Sequence, residues 1–445
     1  MARSELPASP ALAAATVPLR LALAGTLPPW KGVSPYCLAL TRALAATQPA
    51  AELTFLDFER LYPALLYPGA DMTAGVAAPP VELPANVAHR AVLHYARPDQ
   101  AFRIGRDLPA EVLHVQFWSE FLAPIFSLLI DGFHSGVGAR PRRVVMTVHN
   151  LAPHEAAAGL SLTRRLAQRW KEPFGSEVLR RADAWIVHYA AGREELARRL
   201  HVDPRRIEVI PHGLLETASG LRRPDGPDGA EASAARTAAR KRLRSRLAAP
   251  LNEHAPVFLL FGNLRAYKGV EVALRALALG AAPPANGAQL VIAGVPWKDF
   301  DLPAMQALTQ SLGLNDPLPR VHWLAEFIPE ALLADLLAAA DALVLPYTRF
   351  DAMSGVASLG LRAGLPAIVS RLGGLPDMVP PDCSALVVSP GDPAALAAAF
   401  RALLADGDLR RRAARPSAAF LERFAWPAIA AQTRALYTRL LNGAP

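Results

Sequence analysis

Residues Val257 to Gly269 read VFLLFGNLRAYKG: an apolar run, a glycine, then a loop carrying Arg265 and Lys268 ahead of an amphipathic segment. An unbroken apolar run of this length is how a strand buried on both faces looks. The C-terminal ends of such strands are where open α/β sheets hold their ligands. Two cations meeting the fresh N–H groups of a helix start make an anion site, with phosphate the natural occupant. A lysine and an arginine on a solvated loop would give the same letters, so the neighbouring segments have to decide.

The chain has 445 residues, 52% of them apolar and 19% charged, which describes a globular protein with two domains of about 200 residues each. A formal charge of +8 admits anionic partners, among them sugar nucleotides and acidic lipid headgroups. The arginines are scattered over many segments without interleaved aromatics, so dedicated nucleic-acid binding is not expected. Cys37 and Cys383 are far apart and in no CxxC pattern, which excludes a disulfide framework and fits a reducing cytosol. The N-terminus is interrupted by Pro7, Pro10 and Pro18 and reads as a loose tail. No run is long and apolar enough for a membrane span, so any membrane contact is expected to be peripheral.

Along the first half, Leu19–Ala24, Ala51–Leu56, Glu111–Gln116, Arg142–Val148, Trp185–His188 and Arg206–Ile210 read as strands, separated by helical patterns. The stretch from Arg60 to Arg106 has little periodicity. Gly32 lies where the loop GTLPPWKGVSPY turns into a helix, and bare backbone there gives a phosphate close approach. RRVVMTV delivers His149 and Asn150 to a strand's C-terminal end, with His154 and Glu155 beyond. The spacing is not HExxH, and no metal site is expected. Basic residues Arg164, Arg165, Arg169, Lys171, Arg180 and Arg181 form either solvated faces or a surface for anionic headgroups.

Composition changes between about 216 and 250, which reads as a mobile insertion with a polar helix around Thr237–Leu247. Alternation then resumes with Val257–Phe261, Gln289–Ala293, Val321–Leu324, Ala342–Pro346, Pro366–Ser370 and Ala385–Val388. FDAMSGVASLGLRAG opens a helix near Ser354, offering N–H groups and a hydroxyl to an anion on the same sheet edge as Arg265 and Lys268. RLGGLPD adds Gly373 and Gly374 there.

Taken in order, PPWKGVSPY, TVHN, VIPHG, FGNLRAYKG, DALVLPY with DAMSGVASLGLRAGLPAIVS, GGLPD and FAWPAI resemble the GT-B glycosyltransferases of the family 4, group 1 type. The resemblance covers nearly the whole chain. It implies an α/β protein of two Rossmann-like doubly wound domains facing across a cleft: an acceptor-side domain over 1–210, a nucleotide-sugar domain over 211–425, and a C-terminal helix over 426–445 crossing back to the first domain. It also implies a UDP- or GDP-sugar donor and a glycan or lipid-linked acceptor, with no cofactor. Lys268 and Arg265 would neutralise the diphosphate, with amides at Ser354, Gly355 and Val356 and with Gly32 across the cleft. His149 would contact the donor sugar and Asp351 its hydroxyls, Phe327 and Ile328 would lie where the nucleobase rests, and Asn263 would be a further donor-binding residue. The family's second glutamate is Leu359 here, its arginine after the glycine is Asn263, and Lys31 stands where a glycine is common. In the retaining route implied by the family the leaving phosphate takes the acceptor's proton; an inverting route would need His149 or Glu155 as base.

Overall fold

The computed structural model describes residues 19–30, 32–47, 52–62, 81–138, 141–151, 175–214, 230–280 and 287–443. Strands β1 (Arg20–Ala24), β2 (Glu52–Arg60), β3 (Val87–His94), β4 (Val112–Phe117), β5 (Arg143–Val148), β6 (Ala184–Val187) and β7 (Ile207–Val209) form one sheet in the order β3-β2-β1-β4-β5-β6-β7. A second sheet runs β10-β9-β8-β11-β12-β13, from β8 (Val257–Phe261), β9 (Gln289–Ala293), β10 (Val321–Leu324), β11 (Ala342–Leu345), β12 (Ala367–Ser370) and β13 (Val387–Val388). Every strand pair is parallel. A parallel sheet needs helices on both faces, which is why β4, β6, β9 and β11 are fully buried and, apart from His114, Gln116 and Gln289, apolar.

Each sheet reverses its strand order once, between β1 and β4 and between β8 and β11. At such a point two adjacent loops diverge to opposite faces and leave a crevice at the strands' C-terminal edge. The quoted stretch, β8 with its loop, stands at the reversal of the second sheet.

In the first half one face is covered by helices Pro98–Arg106, Ala123–Ser135 and Ala190–Leu200. The other is covered by Ser34–Thr47 and by the last helix, Trp426–Leu441, whose Ile429, Leu436 and Tyr437 are buried among first-half residues. Arg143 Nε donates to the Leu440 carbonyl at 3.1 Å, tying the end of that helix to β5. In the second half Phe400 stacks on Phe258 of β8 at 4.1 Å between ring centroids, burying the stretch that sets the site.

Two departures from the sequence reading have physical causes. β3 and the helix Pro98–Arg106 fall inside the stretch that showed no periodicity. β3 is an edge strand with mostly exposed side chains, so no apolar alternation marks it. The polar helix begins earlier than expected, at Ala230, and ends at Leu243. It is anchored to the second half: Arg240 is buried and donates to the carbonyls of Ala339, Glu253 and Ala255 and to Asp341 at 2.9 Å. The remainder of the expected insertion, and Lys31, Glu155 and Arg164 to Lys171, lie outside the described residues.

Candidate active site

β8 ends at Phe261 and the chain turns at Gly262, where φ is +105°. A Cβ at this glycine would stand 2.6 Å from Lys268 Nζ, so the missing side chain is what leaves room for the ammonium. Gly269, at φ +69°, closes the loop, and a Cβ there would lie 1.9 Å from the Pro346 carbonyl oxygen. The loops after β8 and β11 therefore touch at this glycine, with Lys268 between them.

Lys268 is 5% exposed. Its Nζ donates to the Phe261 carbonyl at 2.9 Å and lies 5.5 Å from the centre of the Tyr347 ring. No carboxylate among the described residues offsets its charge, and burial alone pushes its pKa down to about 8. The helix Gly355–Arg362 starts beside it: Val356 Cγ2 would be 3.3 Å from the same hypothetical Cβ on Gly262. A buried ammonium and the positive end of a helix are thus placed together, an arrangement whose electrostatics favour an anion.

The Ser354 hydroxyl has a structural task of its own. It caps the helix, accepting from the Ala357 amide at 3.3 Å. The amides of Gly355 and Val356 are then the first-turn donors without an intrahelical acceptor. Gly355 is exposed, Val356 half-buried, and Leu359 one turn on is also half-buried.

Arg265 is engaged elsewhere than the sequence implied. The loops after β8 and β9 are zipped by Leu264 N to Val295 O at 2.8 Å and Trp297 N to Leu264 O at 2.9 Å. That pairing brings Asp299 to Arg265, whose Nε donates to the carboxylate at 2.8 and 3.0 Å. The guanidinium also lies 5.6 Å from the centre of the Trp297 ring and 5.9 Å from that of Tyr267. Asp299 and Trp297 were not anticipated, although VPWKDF directly follows a buried strand and so must emerge at the same edge.

The two halves meet beside this crevice. The Tyr189 hydroxyl donates to the Asp351 carbonyl, and Met353 packs against the cores of both halves. Asp377 accepts from the Ala190 amide, the start of a first-half helix, and burial raises its carboxyl pKa. Asp351 is half-buried at the junction. Gly32 is exposed, with nothing within 4 Å of a Cβ added there, and Asn263 is exposed. Phe327 is 75% exposed, whereas Ile328 packs against the second-half core.

His149 departs most from expectation. It is buried at the end of β5, with Nε2 3.0 Å from Gln116 Oε1 and Nδ1 3.3 Å from His188 Nε2. Burial, with the nearby imidazoles of His188, His212 and His114, holds its pKa well below the ordinary value. Both ring nitrogens are thus engaged within the first half. Among the described residues no three His, Cys, Asp or Glu side chains are grouped to hold a metal ion, and no helix is long and apolar enough to cross a membrane.

Residues 30–214 match the family model described as Glycosyltransferase Family 4, and residues 255–406 match Glycosyl transferases group 1. A D-inositol 3-phosphate glycosyltransferase from Corynebacterium kroppenstedtii is 27% identical over 305 residues, 68% of this chain and 63% of that protein. Its namesake from Corynebacterium efficiens is 30% identical over 252 residues, 55% of this chain and 54% of that protein. The chain thus spans less than two thirds of the length of either relative. Among solved structures, sucrose-phosphate synthase from Thermosynechococcus elongatus aligns with a TM-score of 0.62 at 20% identity, over 96% of this chain and 100% of that one. Anabaena HepE, in complex with UDP, aligns with a TM-score of 0.64 at 15% identity, over 94% and 99%. At these identities the structural likeness speaks for the fold.

Proposed function

We propose that this chain, which belongs to the GT-B glycosyltransferases of the family 4, group 1 type, transfers a hexose from a nucleoside diphosphate sugar to a hydroxyl acceptor. The observation that carries the reading is the buried, uncompensated Lys268 ammonium at the start of helix Gly355–Arg362. A diphosphate bound there supplies the missing negative charge. As the glycosidic C–O bond breaks, charge grows on the diphosphate, and a fixed cation with preset amide dipoles stabilises that state more than the ground state.

The acceptor oxygen forms the new bond to the anomeric carbon, the bond to the phosphate oxygen breaks, and the acceptor's proton goes to the departing phosphate. This retaining route needs no protein base. Arg265 joins the diphosphate by exchanging the Asp299 carboxylate for a phosphate oxygen. Asp351 orients sugar hydroxyls from the junction, and Gly32 leaves space for the phosphates on the first-half side. Phe327 and Ile328 take the nucleobase. UDP is the first donor base to try, because the Anabaena relative in fold was crystallised with it.

The acceptor is a glycan or lipid-linked sugar in bacterial surface glycoconjugate assembly. The name borne by the curated relatives favours a second reading, a phosphorylated polyol acceptor. Incubating the purified protein with UDP- and GDP-hexoses and each acceptor class, and following nucleoside diphosphate release, separates these readings. Acceptor-dependent release that disappears in a folded Lys268→Ala variant supports transfer. Donor binding without release for any acceptor would overturn it, and the anomeric configuration of the product decides retention.

A further inference from the structure

Four histidines of the first half, His114, His149 and His188, which are buried, and His212, which is half-buried, gather near Tyr36, whose ring lies 4.8 Å from His149, 5.2 Å from His188 and 4.8 Å from His212. They come from β4, the end of β5, the end of β6 and the segment after β7, which parallel pairing lines up side by side. Three are linked into a chain by hydrogen-bond distances. The Tyr437 hydroxyl, on the last helix, is 2.6 Å from His114 Nδ1. His114 Nε2 is 3.2 Å from the Gln116 amide, which on its other side is 3.0 Å from His149 Nε2. His149 Nδ1 is 3.3 Å from His188 Nε2, and His188 Nδ1 is 3.0 Å from the Ile210 carbonyl.

The Ile210 carbonyl can only accept, so His188 must carry its proton on Nδ1 and present a lone pair on Nε2. His149 then donates from Nδ1 to His188. Its Nε2 is a lone pair if the ring is neutral, and a lone pair cannot face an amide oxygen. A half-turn of the Gln116 amide exchanges its oxygen and nitrogen in place. The amide nitrogen then donates to His149 and the amide oxygen accepts from His114 Nε2. The Thr147 hydroxyl oxygen lies 2.7 Å from His114 Nε2, so that nitrogen's one proton is shared between it and the amide oxygen, and His114 Nδ1 accepts from Tyr437. Every link is satisfied in one direction, from Tyr437 to Ile210. With the amide oxygen towards His149 instead, that ring needs a proton on both nitrogens and becomes an imidazolium.

We infer that the Ile210 carbonyl sets the direction of this chain and that Gln116 is the positioning residue that relays it, donating to His149 so that the ring is held as the neutral Nδ1–H tautomer, and linking the cleft end of β5 to His114 and the docked last helix. The inference goes beyond the reaction proposed above and stands or falls without it. Burial agrees with neutral rings: it pushes the pKa of His114 and of His188 down to about 3 and that of His212 to about 4.

Two-bond 15N–1H correlation spectra of the histidine-labelled full chain at pH 7 read the tautomers directly. The expected result is Nδ1–H for His149 and His188 and Nε2–H for His114. Gln116→Glu, which offers only acceptors, should convert His149 to a doubly protonated ring at the same pH. Tyr437→Phe removes the donor to His114 Nδ1 and should free the tautomer of His114 while His149, fixed from the Ile210 end, stays Nδ1–H. A wild-type His149 protonated on Nε2, or one unchanged by Gln116→Glu, would overturn the inference. Should Gln116→Glu not fold, the wild-type tautomers decide alone. Absence of sugar transfer together with the expected tautomers would count against the proposed reaction only.

Discussion

At the scale of single residues the site turns on Lys268, whose charge is kept at a cost. Its folded pKa of about 8 lies below the ordinary 10.5, so between these values the unfolded chain holds a proton that the folded chain has released. Stability of the ligand-free protein therefore rises with pH across that window. Lys268→Met removes the buried charge and is expected to stabilise the ligand-free protein at pH 7 by about 1–2 kcal/mol, read from urea denaturation. Gly269→Ala acts in the opposite sense. Its Cβ would meet the Pro346 carbonyl at 1.9 Å in a left-handed conformation, and a loss of about 2 kcal/mol or more is expected in the same measurement. Arg265 differs from Lys268 in having a carboxylate partner in place. Asp299→Asn should free the guanidinium and tighten UDP binding by about two- to fivefold, since a half-exposed pair is a weak competitor. Unchanged or weaker binding by calorimetry would show that Arg265 does not move to the diphosphate.

At the scale of elements, what was legible is what burial wrote into the letters. β8, β9 and β10 have the ends expected from sequence, because strands covered on both faces must be apolar throughout and stop where they emerge. β3 was invisible for the converse reason: its exposed run, Ala88 to Ala91, contains His89 and Arg90 and shows no apolar alternation. The helix Ala230–Leu243 was misplaced because its anchoring contact is a buried arginine, which no apolar periodicity reports. In the site, Lys268 and the helix start were legible because charge at the end of a buried strand is conspicuous. The Arg265–Asp299 pair was not, since it depends on two loops running side by side. Nor was the histidine chain, whose members are brought together by strand pairing across more than one crossover.

At the scale of the whole molecule, the two sheets place their strand-order reversals at C-terminal edges, and Tyr189, Asp351, Met353 and Asp377 join the halves beside the second of these. The buried histidines give the first half a global signature. Their folded pKa values are depressed, so as pH falls below about 6.5 the unfolded chain takes up protons that the folded chain refuses until about 3–4. Each such group removes about 1.4 kcal/mol per pH unit in that window. Urea midpoints at pH 7, 5.5 and 4.5 are expected to fall steeply, and a flat profile would mean that the rings are already charged or accessible when folded. The central claim is that a diphosphate completes the Lys268 site, and titration calorimetry of UDP against wild type and Lys268→Met at pH 7 and pH 9 tests it. The account predicts that affinity falls from pH 7 to pH 9 in the wild type, and that the variant at pH 7 binds about ten- to a hundredfold more weakly while remaining folded. Equal affinity of a folded variant and the wild type would contradict it.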